Sequence, residues 1–134
     1  MAYRFLEHGG EVELAIDASS EAGVFEAALE AFAELVSPGG AGGSGELELH
    51  ELELSAGERG LLLVDWLGEL LFLVETEEFV PERLVAIELD GGRLHACVAG
   101  RRGHPRQLVK GVTLNSLEFG REGGAWHGHV VLDV

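Results

Sequence analysis

The chain has 134 residues, 46% of them hydrophobic, which is enough to bury the core of one domain and too few for two domains of ordinary size. We therefore predict a single domain spanning residues 1–134. Twenty-four acidic residues against nine lysines and arginines give a formal net charge of −15, which repels phosphate backbones and argues against direct binding of nucleic acid. This charge favours cations or a basic protein surface as partners, and an acidic surface that only aids solubility is the simpler alternative.

The single cysteine, Cys97, excludes an internal disulfide, and the opening MAYRFLEHGG lacks the basic and apolar regions of a secretory signal, so we expect a cytoplasmic protein. Cys97 lies in an alternating segment without a nucleophile signature, which predicts a buried structural residue. The most apolar run, LLLVDWLGELLFLV at residues 61–74, is too short for a membrane span and contains Asp65 and Glu69. It predicts a core helix and no association with a membrane.

Two strands are predicted at the start of the chain, at residues 3–6 and 11–17, with Gly9 and Gly10 as the turn between them. In the second strand, apolar residues occupy every other position and acidic residues lie among the others. One face of this strand is therefore predicted to be buried and the other to be acidic.

A helix is predicted from Ser20, its N-cap, because apolar residues recur at spacings of three and four until the flexible linker SPGGAGGSG at residues 37–45. The next segment, ELELHELEL at residues 46–54, alternates like a strand. Its first two leucines have odd numbers and its last two have even numbers, which predicts a bulge at His50 and Glu51.

A second helix is predicted to follow Ser55 and Glu58, which have the spacing of a capping box, and to end near Thr76. Because this helix is apolar on nearly all sides, we expect it to be the central helix of the core.

The remainder of the chain predicts two hairpins. Residues 84–89 and 93–100 flank the turn signal Asp90-Gly91-Gly92, and residues 110–119 and 125–134 flank a second glycine-containing segment. Two main helices among about seven strands predict an α+β fold, with the helices packed on a largely antiparallel sheet.

Catalytic motifs do not appear in the sequence: there is no GxSxG, no P-loop and no GxGxxG after a strand, so no motif indicates an enzyme.

A metal site has better support from the sequence. His127 and His129 share a predicted strand face with Asp133, and a carboxylate site for Ca²⁺ or Mg²⁺ could also use Glu11 and the terminal carboxylate of Val134. Exposed, solvated histidines are the alternative, and soft-metal ligation lacks a CxxC or HExxH motif.

Lys110 is the only lysine of the chain, whereas arginine occurs eight times. A site that needs a compact ammonium group rather than a planar guanidinium would explain this choice, and chance is the alternative.

Several segments resemble the archease family, the small acidic partner proteins of the GTP-dependent RNA ligase that joins tRNA halves and repairs RNA. YRFLEHGGEVEL resembles the family's opening strand and its LEHTAD motif, and LLVDWLGELLFLVETEEFV resembles its LLVDWLNELLYLFDTE helix. KGVTLNSLEF resembles KAVTYHGLEV, and the final VVLDV resembles VILDI. The matches run in order along the chain, so the resemblance implies an archease-like fold throughout.

The resemblance implies three functional residues: Glu11 at the acidic end of HTAD, Lys110 at the lysine of KAVT and Asp133 at the aspartate of LDI. In the family, the first and last of these bind a divalent cation together with the terminal residue, here Val134, and all three take part in ligase activation. His8, at the histidine of HTAD, is a minor candidate. Ca²⁺ is the favoured ion because its adaptable coordination shell accepts the longer arm of a glutamate, and Mg²⁺ or Mn²⁺ is the alternative.

The function that the resemblance implies is non-enzymatic: activation of the GTP-dependent RNA ligase in tRNA splicing and RNA repair, by promoting guanylylation of the ligase. One alternative is a metal-dependent phosphoester hydrolase that uses His8, Glu11 and Asp133, although no nucleophile or general base can be assigned to it. Another is a chaperone-like or structural partner without a metal site.

Overall fold

The chain folds into seven strands and two α-helices over the residues that the computed structural model describes, which are residues 2–40 and 43–134. The elements are β1 (Ala2–His8), β2 (Glu11–Ala18), α1 (Glu21–Val36), a 3₁₀ turn (Pro38–Gly40), β3 (Gly43–Ser55), α2 (Arg59–Glu77), β4 (Phe79–Asp90), β5 (Arg93–Gly103), β6 (Gly111–Glu122) and β7 (Ala125–Asp133). Residues 41 and 42 of the predicted linker lie outside the described residues. The predicted α+β fold is confirmed.

The strands form two antiparallel sheets where the sequence predicted one. One sheet has the order β1-β2-β7-β6 and the other has the order β3-β5-β4. Helix α1 contacts β2 and β4, and α2 contacts β6 and β4, so each helix packs against both sheets. The helices therefore cover the apolar faces of both sheets, and a single layer of helices serves two sheets.

Helix α1 is the more completely buried of the two helices. Nine of its 16 residues are buried, whereas α2 buries seven of 19 and leaves Phe72 53% exposed. The prediction that α2 is the central helix is therefore wrong, because α1 buries the larger share of its residues. Trp66 of α2 is fully buried and donates its indole N–H to the carbonyl oxygen of Phe25 at 2.9 Å, which joins the helices. In residues 2–40 and 43–134, neither helix has the length and apolar character needed to cross a membrane.

The predicted cap of α1 is confirmed and that of α2 is wrong. The Gly23 backbone N–H donates to Ser20 Oγ at 3.0 Å. Before α2, Ser55 is the last residue of β3 and pairs with Arg93, and Glu58 occupies the N-cap position without a side-chain hydrogen bond. Continuation of the sheet through Ser55 takes that residue away from the helix end.

The bulge predicted at His50 is absent. Strand β3 pairs with β5 in continuous register from Leu47 to Ser55, and the irregularity lies between Gly43 and Leu47. The two earlier leucines therefore face outward and the two later ones inward, on opposite faces of a regular strand. His50 lies on the inner face, where its ring centroid is 4.3 Å from that of Phe79.

Glycine pairs close both predicted hairpins. Gly91 and Gly92 connect β4 to β5, and Gly123 and Gly124 connect β6 to β7, with φ angles of +59° and +83° at the second pair. These conformations favour glycine because they lie in the left-handed region. Cys97, on the β5 strand of the first hairpin, is partly exposed, so its predicted burial is incomplete.

Substitution of Gly100 by alanine should destabilise the fold. A Cβ atom at this position would lie 2.2 Å from the carbonyl oxygen of Val80 and 2.7 Å from the ring of Phe79. We expect Gly100→Ala to lower the free energy of unfolding by about 2 kcal/mol or more, measured by urea denaturation. The control is Gly68→Ala in α2, where no atom lies within 4 Å, and it should raise the same quantity by about 1 kcal/mol. Equal effects of the two variants would contradict this packing.

Candidate functional site

Four strand ends meet at one edge of the four-stranded sheet. His8 ends β1 and pairs with Glu11 at the start of β2, Glu11 pairs with Asp133 at the end of β7, and Asp133 pairs with Gly111 at the start of β6. Directly paired residues of antiparallel strands point to the same face. This edge, which we call the sheet tip, consists of His8, Glu11, Lys110, Asp133 and Val134.

Two backbone hydrogen bonds hold the remaining residues at the sheet tip. The Lys110 N–H donates to the carbonyl oxygen of Asp133 at 2.7 Å, and the Val134 N–H donates to the carbonyl oxygen of Gly10 at 3.0 Å. The structure thus brings together Glu11, Lys110, Asp133 and Val134, which come from the start and the end of the chain.

The carboxylates of Glu11 and Asp133 form an exposed like-charge pair. In the part of the chain that the structure describes, neither has an ion pair or a side-chain hydrogen bond. Directly opposed side chains have Cβ atoms about 5 Å apart, and like charges in that position repel. Gly111, on the other side of Asp133, contributes no side chain, and a Cβ atom there would have no neighbour within 4 Å. The space beside the two carboxylates is therefore open.

The donor set at the sheet tip is suited to a hard cation. No cluster of three or more His, Cys, Asp or Glu side chains that could hold a metal occurs within residues 2–40 and 43–134. A cation between Glu11 and Asp133 would thus need oxygen donors of other kinds, such as a terminal carboxylate, backbone carbonyls or water. Ca²⁺ accepts such mixed oxygen shells.

The Lys110 side chain is exposed and has no ion pair with any described residue. It directly precedes β6, in the loop that connects β5 to β6. Its ammonium group is therefore not occupied by an ion pair with any described residue, and its backbone is bonded to Asp133.

A second polar group, which the sequence did not reveal, lies next to the sheet tip. Glu13 accepts hydrogen bonds from the ring nitrogens of His8 and, at 3.0 Å, His129. The other ring nitrogen of His129 faces the carbonyl oxygen of Ser116 at 2.7 Å. Both ring nitrogens of His129 therefore lie against oxygen acceptors. These bonds link all four strands of the sheet.

His127 and His129 lie on the same face as Asp133, as predicted, and each contacts a carboxylate of β2. His127 Nδ1 lies 2.5 Å from Asp17 Oδ1, and His129 contacts Glu13. The two histidines are thus partly exposed, as the alternative to a metal site predicted, and they are also hydrogen-bonded to carboxylates. The alternating sequence pattern predicts that Glu13 and His129 lie on the outer faces of their strands. Their contact with each other could not be predicted from that pattern, because it depends on the register between β2 and β7.

The hydrogen bond from His8 has the largest effect and lowers the pKa of the Glu13 carboxyl group. Desolvation, which is next in size, raises this pKa, and the bond from His129 lowers it further. The charged form of Glu13 is thus favoured in the folded state. A lowered folded-state pKa stabilises the fold above the ordinary pKa of glutamate, and this stabilisation is lost as the pH falls through the lowered value.

Removal of either histidine should raise the pKa of Glu13. We expect His8→Ala to raise it more than His129→Ala, because the bond from His8 makes the larger contribution. The measurement is a ¹³C NMR titration of the carboxyl carbon between pH 2 and pH 7. An unchanged pKa in both variants would show that the hydrogen bonds do not set it.

The fold and the sheet tip define a small α+β protein in which two helices between antiparallel sheets support an edge carrying two carboxylates and a lysine. The sequence matches the profile of the Archease protein family (MTH1598/TM1083) over residues 3–134. The chain belongs to the archease family.

Relatives and solved structures agree with this assignment. The chain is 32% identical to the protein archease of Methanosarcina mazei and 31% identical to that of Methanosarcina acetivorans, in each case over 98% of this chain and 95% of the relative. Its fold is similar to the solution structure of protein 1598 from Methanobacterium thermoautotrophicum, with a TM-score of 0.75, 25% identity and coverage of 98% of both chains. It is also similar to the crystal structure of a Thermotoga maritima archease described as a possible chaperone, with a TM-score of 0.72, 20% identity and coverage of 96% and 94%.

Proposed function

We propose that this chain is a non-enzymatic partner of a GTP-dependent RNA ligase and promotes guanylylation of the ligase in tRNA splicing and RNA repair. Membership of the archease family supports a partner role, and the description of the Thermotoga maritima relative as a possible chaperone is compatible with one. The observation that carries the proposal is the strand register that pairs Glu11 with Asp133. A backbone hydrogen bond holds Lys110 at the same end of the sheet.

The carboxylate pair is proposed to bind a divalent cation, with the terminal carboxylate of Val134 as a third donor. Two like charges that have no partner among the described residues, held on opposed strands, favour a bound cation over an empty pair. Ca²⁺ suits this set better than Mg²⁺ or Mn²⁺, because Glu11 has a longer and more adaptable arm than an aspartate. When bound, the cation supplies positive charge for phosphate oxygens of the ligase site.

Lys110 is proposed to contact the triphosphate of GTP. An ammonium group binds phosphate as a compact point charge, and that of Lys110 has no competing ion pair among the described residues. Its backbone hydrogen bond to Asp133 keeps the lysine next to the carboxylate pair. The net charge of −15 also speeds encounter with a basic, RNA-handling protein.

The hydrolase alternative has less support from the site. It would use His8, Glu11 and Asp133, but in the structure the ring of His8 contacts the carboxylate of Glu13, and no nucleophile or general base is assigned to it.

Loss of the lysine should reduce activation of the ligase. We expect Lys110→Ala to lower the rate of single-turnover ligase guanylylation about tenfold or more, because one charge-assisted hydrogen bond to phosphate is lost. The matched control is Arg106→Ala, an exposed cation of the same loop, which should activate like the unsubstituted protein. Absence of stimulation by the unsubstituted protein at stoichiometric amounts would refute the proposed function.

Cation binding can be tested separately by isothermal titration calorimetry with Ca²⁺. We expect Glu11→Gln and Asp133→Asn each to weaken binding about tenfold or more, since each removes a charged oxygen donor. Deletion of Val134 should also weaken it, because the terminal carboxylate moves. Asp17→Asn is the control, since Asp17 lies on the same face of β2 and already contacts His127. A loss in the control equal to that in the other variants would place the cation elsewhere.

A further inference from the structure

A groove runs between the end of α2 and the loop at residues 104–110, which leads to Lys110. Leucine, valine and proline side chains form most of its walls, and two glutamates also line it. Its principal lining residues are Leu71, Val74, Glu75, Glu78, Pro105 and Leu108. We call this feature the α2 groove.

Leu108 projects from this loop and is the most exposed large apolar side chain of the described residues, at 69%. The loop around it is nevertheless anchored. The Arg106 N–H donates to the carbonyl oxygen of Val36 at 2.6 Å, Val109 is only 3% exposed, and the Lys110 N–H is bonded to the end of β7. An apolar side chain on an anchored backbone loses little conformational entropy when a partner covers it, which is the property of an interface anchor.

The charge of the α2 groove indicates the chemistry of its occupant. Glu75 has no ion pair within residues 2–40 and 43–134, and Glu78 has only a long contact of 4.0 Å with Arg102. His104 is the basic residue of the lining. A complementary segment would place an apolar side chain against Leu108 and a lysine or arginine near Glu75.

We propose that the α2 groove is a docking site for a segment of the RNA ligase that carries an apolar side chain flanked by lysine or arginine, with Leu108 as the anchor. This inference rests on the proposed function. Because Leu108 is two residues before Lys110, a ligase segment bound in the groove would hold the sheet tip at the ligase. Docking by the groove and activation by the sheet tip are therefore separate tasks of neighbouring residues.

The test measures affinity and activation in parallel. Binding to the cognate ligase is followed by fluorescence anisotropy of the labelled full-length chain, and single-turnover guanylylation is measured over the same concentrations. We expect Leu108→Asn to raise both the dissociation constant and the concentration for half-maximal stimulation about tenfold, with maximal stimulation unchanged. Lys110→Ala should lower maximal stimulation and leave the dissociation constant nearly unchanged.

Leu49→Asn is the matched control, because Leu49 is 60% exposed on the outer face of the other sheet. It should bind and activate like the unsubstituted chain. Equal dissociation constants for Leu108→Asn and Leu49→Asn would overturn the docking proposal, even if the unsubstituted chain stimulates guanylylation. Weaker binding by Leu108→Asn alone, without stimulation by the unsubstituted chain, would support the groove and refute the proposed function.

A charge variant and self-association provide two further outcomes. Glu75→Gln should weaken ligase binding about threefold at low salt and have no effect at high salt, because salt screens the exposed carboxylate. An effect that persists at high salt would contradict a role in charge complementarity. Sedimentation of the chain alone should show no self-association through the groove. Self-association that is abolished by Leu108→Asn would mean that a second copy of the chain occupies the groove.

Discussion

The antiparallel pairing of β2 with β7 is the interaction on which the proposed site rests. It joins strands from the two ends of the chain, and it places Glu11 directly opposite Asp133. A shift of one residue would turn every side chain of one strand to the other face and would bury acidic residues in the core. The alternation of buried and acidic residues along β2 therefore enforces the register, and that register creates a repulsive carboxylate pair at the sheet edge.

The carboxylates on the outer face of this sheet fall into two groups that differ in their partners. Glu13 and Asp17 are hydrogen-bonded to histidines of neighbouring strands, whereas the side chains of Glu11 and Asp133 have no partner among the described residues. The carboxylates in the interior of this face are thus hydrogen-bonded within the fold. Those at the sheet tip remain unpaired among the described residues and can bind an external group. This contrast is the physical basis for assigning the sheet tip, and not the histidines, to the proposed cation.

The helical layer between the sheets supports both proposed tasks. The carbonyl oxygen of Val36, the last residue of α1, accepts the bond that anchors the loop of Leu108, and β7 accepts the bond that anchors Lys110. The two ends of one short loop are therefore tied to different layers of the protein. A partner that binds Leu108 would therefore contact a surface that the core holds in a fixed position relative to the sheet tip.

Local pattern predicted much of the fold, because alternation, helical spacing and glycine turns depend on neighbouring residues. Such patterns predicted the two helices, the glycine hairpins, the Ser20 cap and the acidic face of β2. Residue pattern and composition drew attention to Glu11, Asp133 and Lys110, and the family resemblance joined them into one site, which no local pattern could do. The capping box at Ser55 and the bulge at His50 were wrong, because pairing of β3 with β5 overrode the local signals.

The division into two sheets, the greater burial of α1 and the contacts of Glu13 with His8 and His129 could not be predicted from the chain alone. Each depends on which strands become neighbours and in what register, and this is set by the free energy of packing the whole core. The same is true of the exposed Leu108 beside the α2 groove, since its sequence neighbours do not distinguish it from a buried leucine. The residue types at the site were thus visible in the sequence, and their proximity arose only when the strands paired.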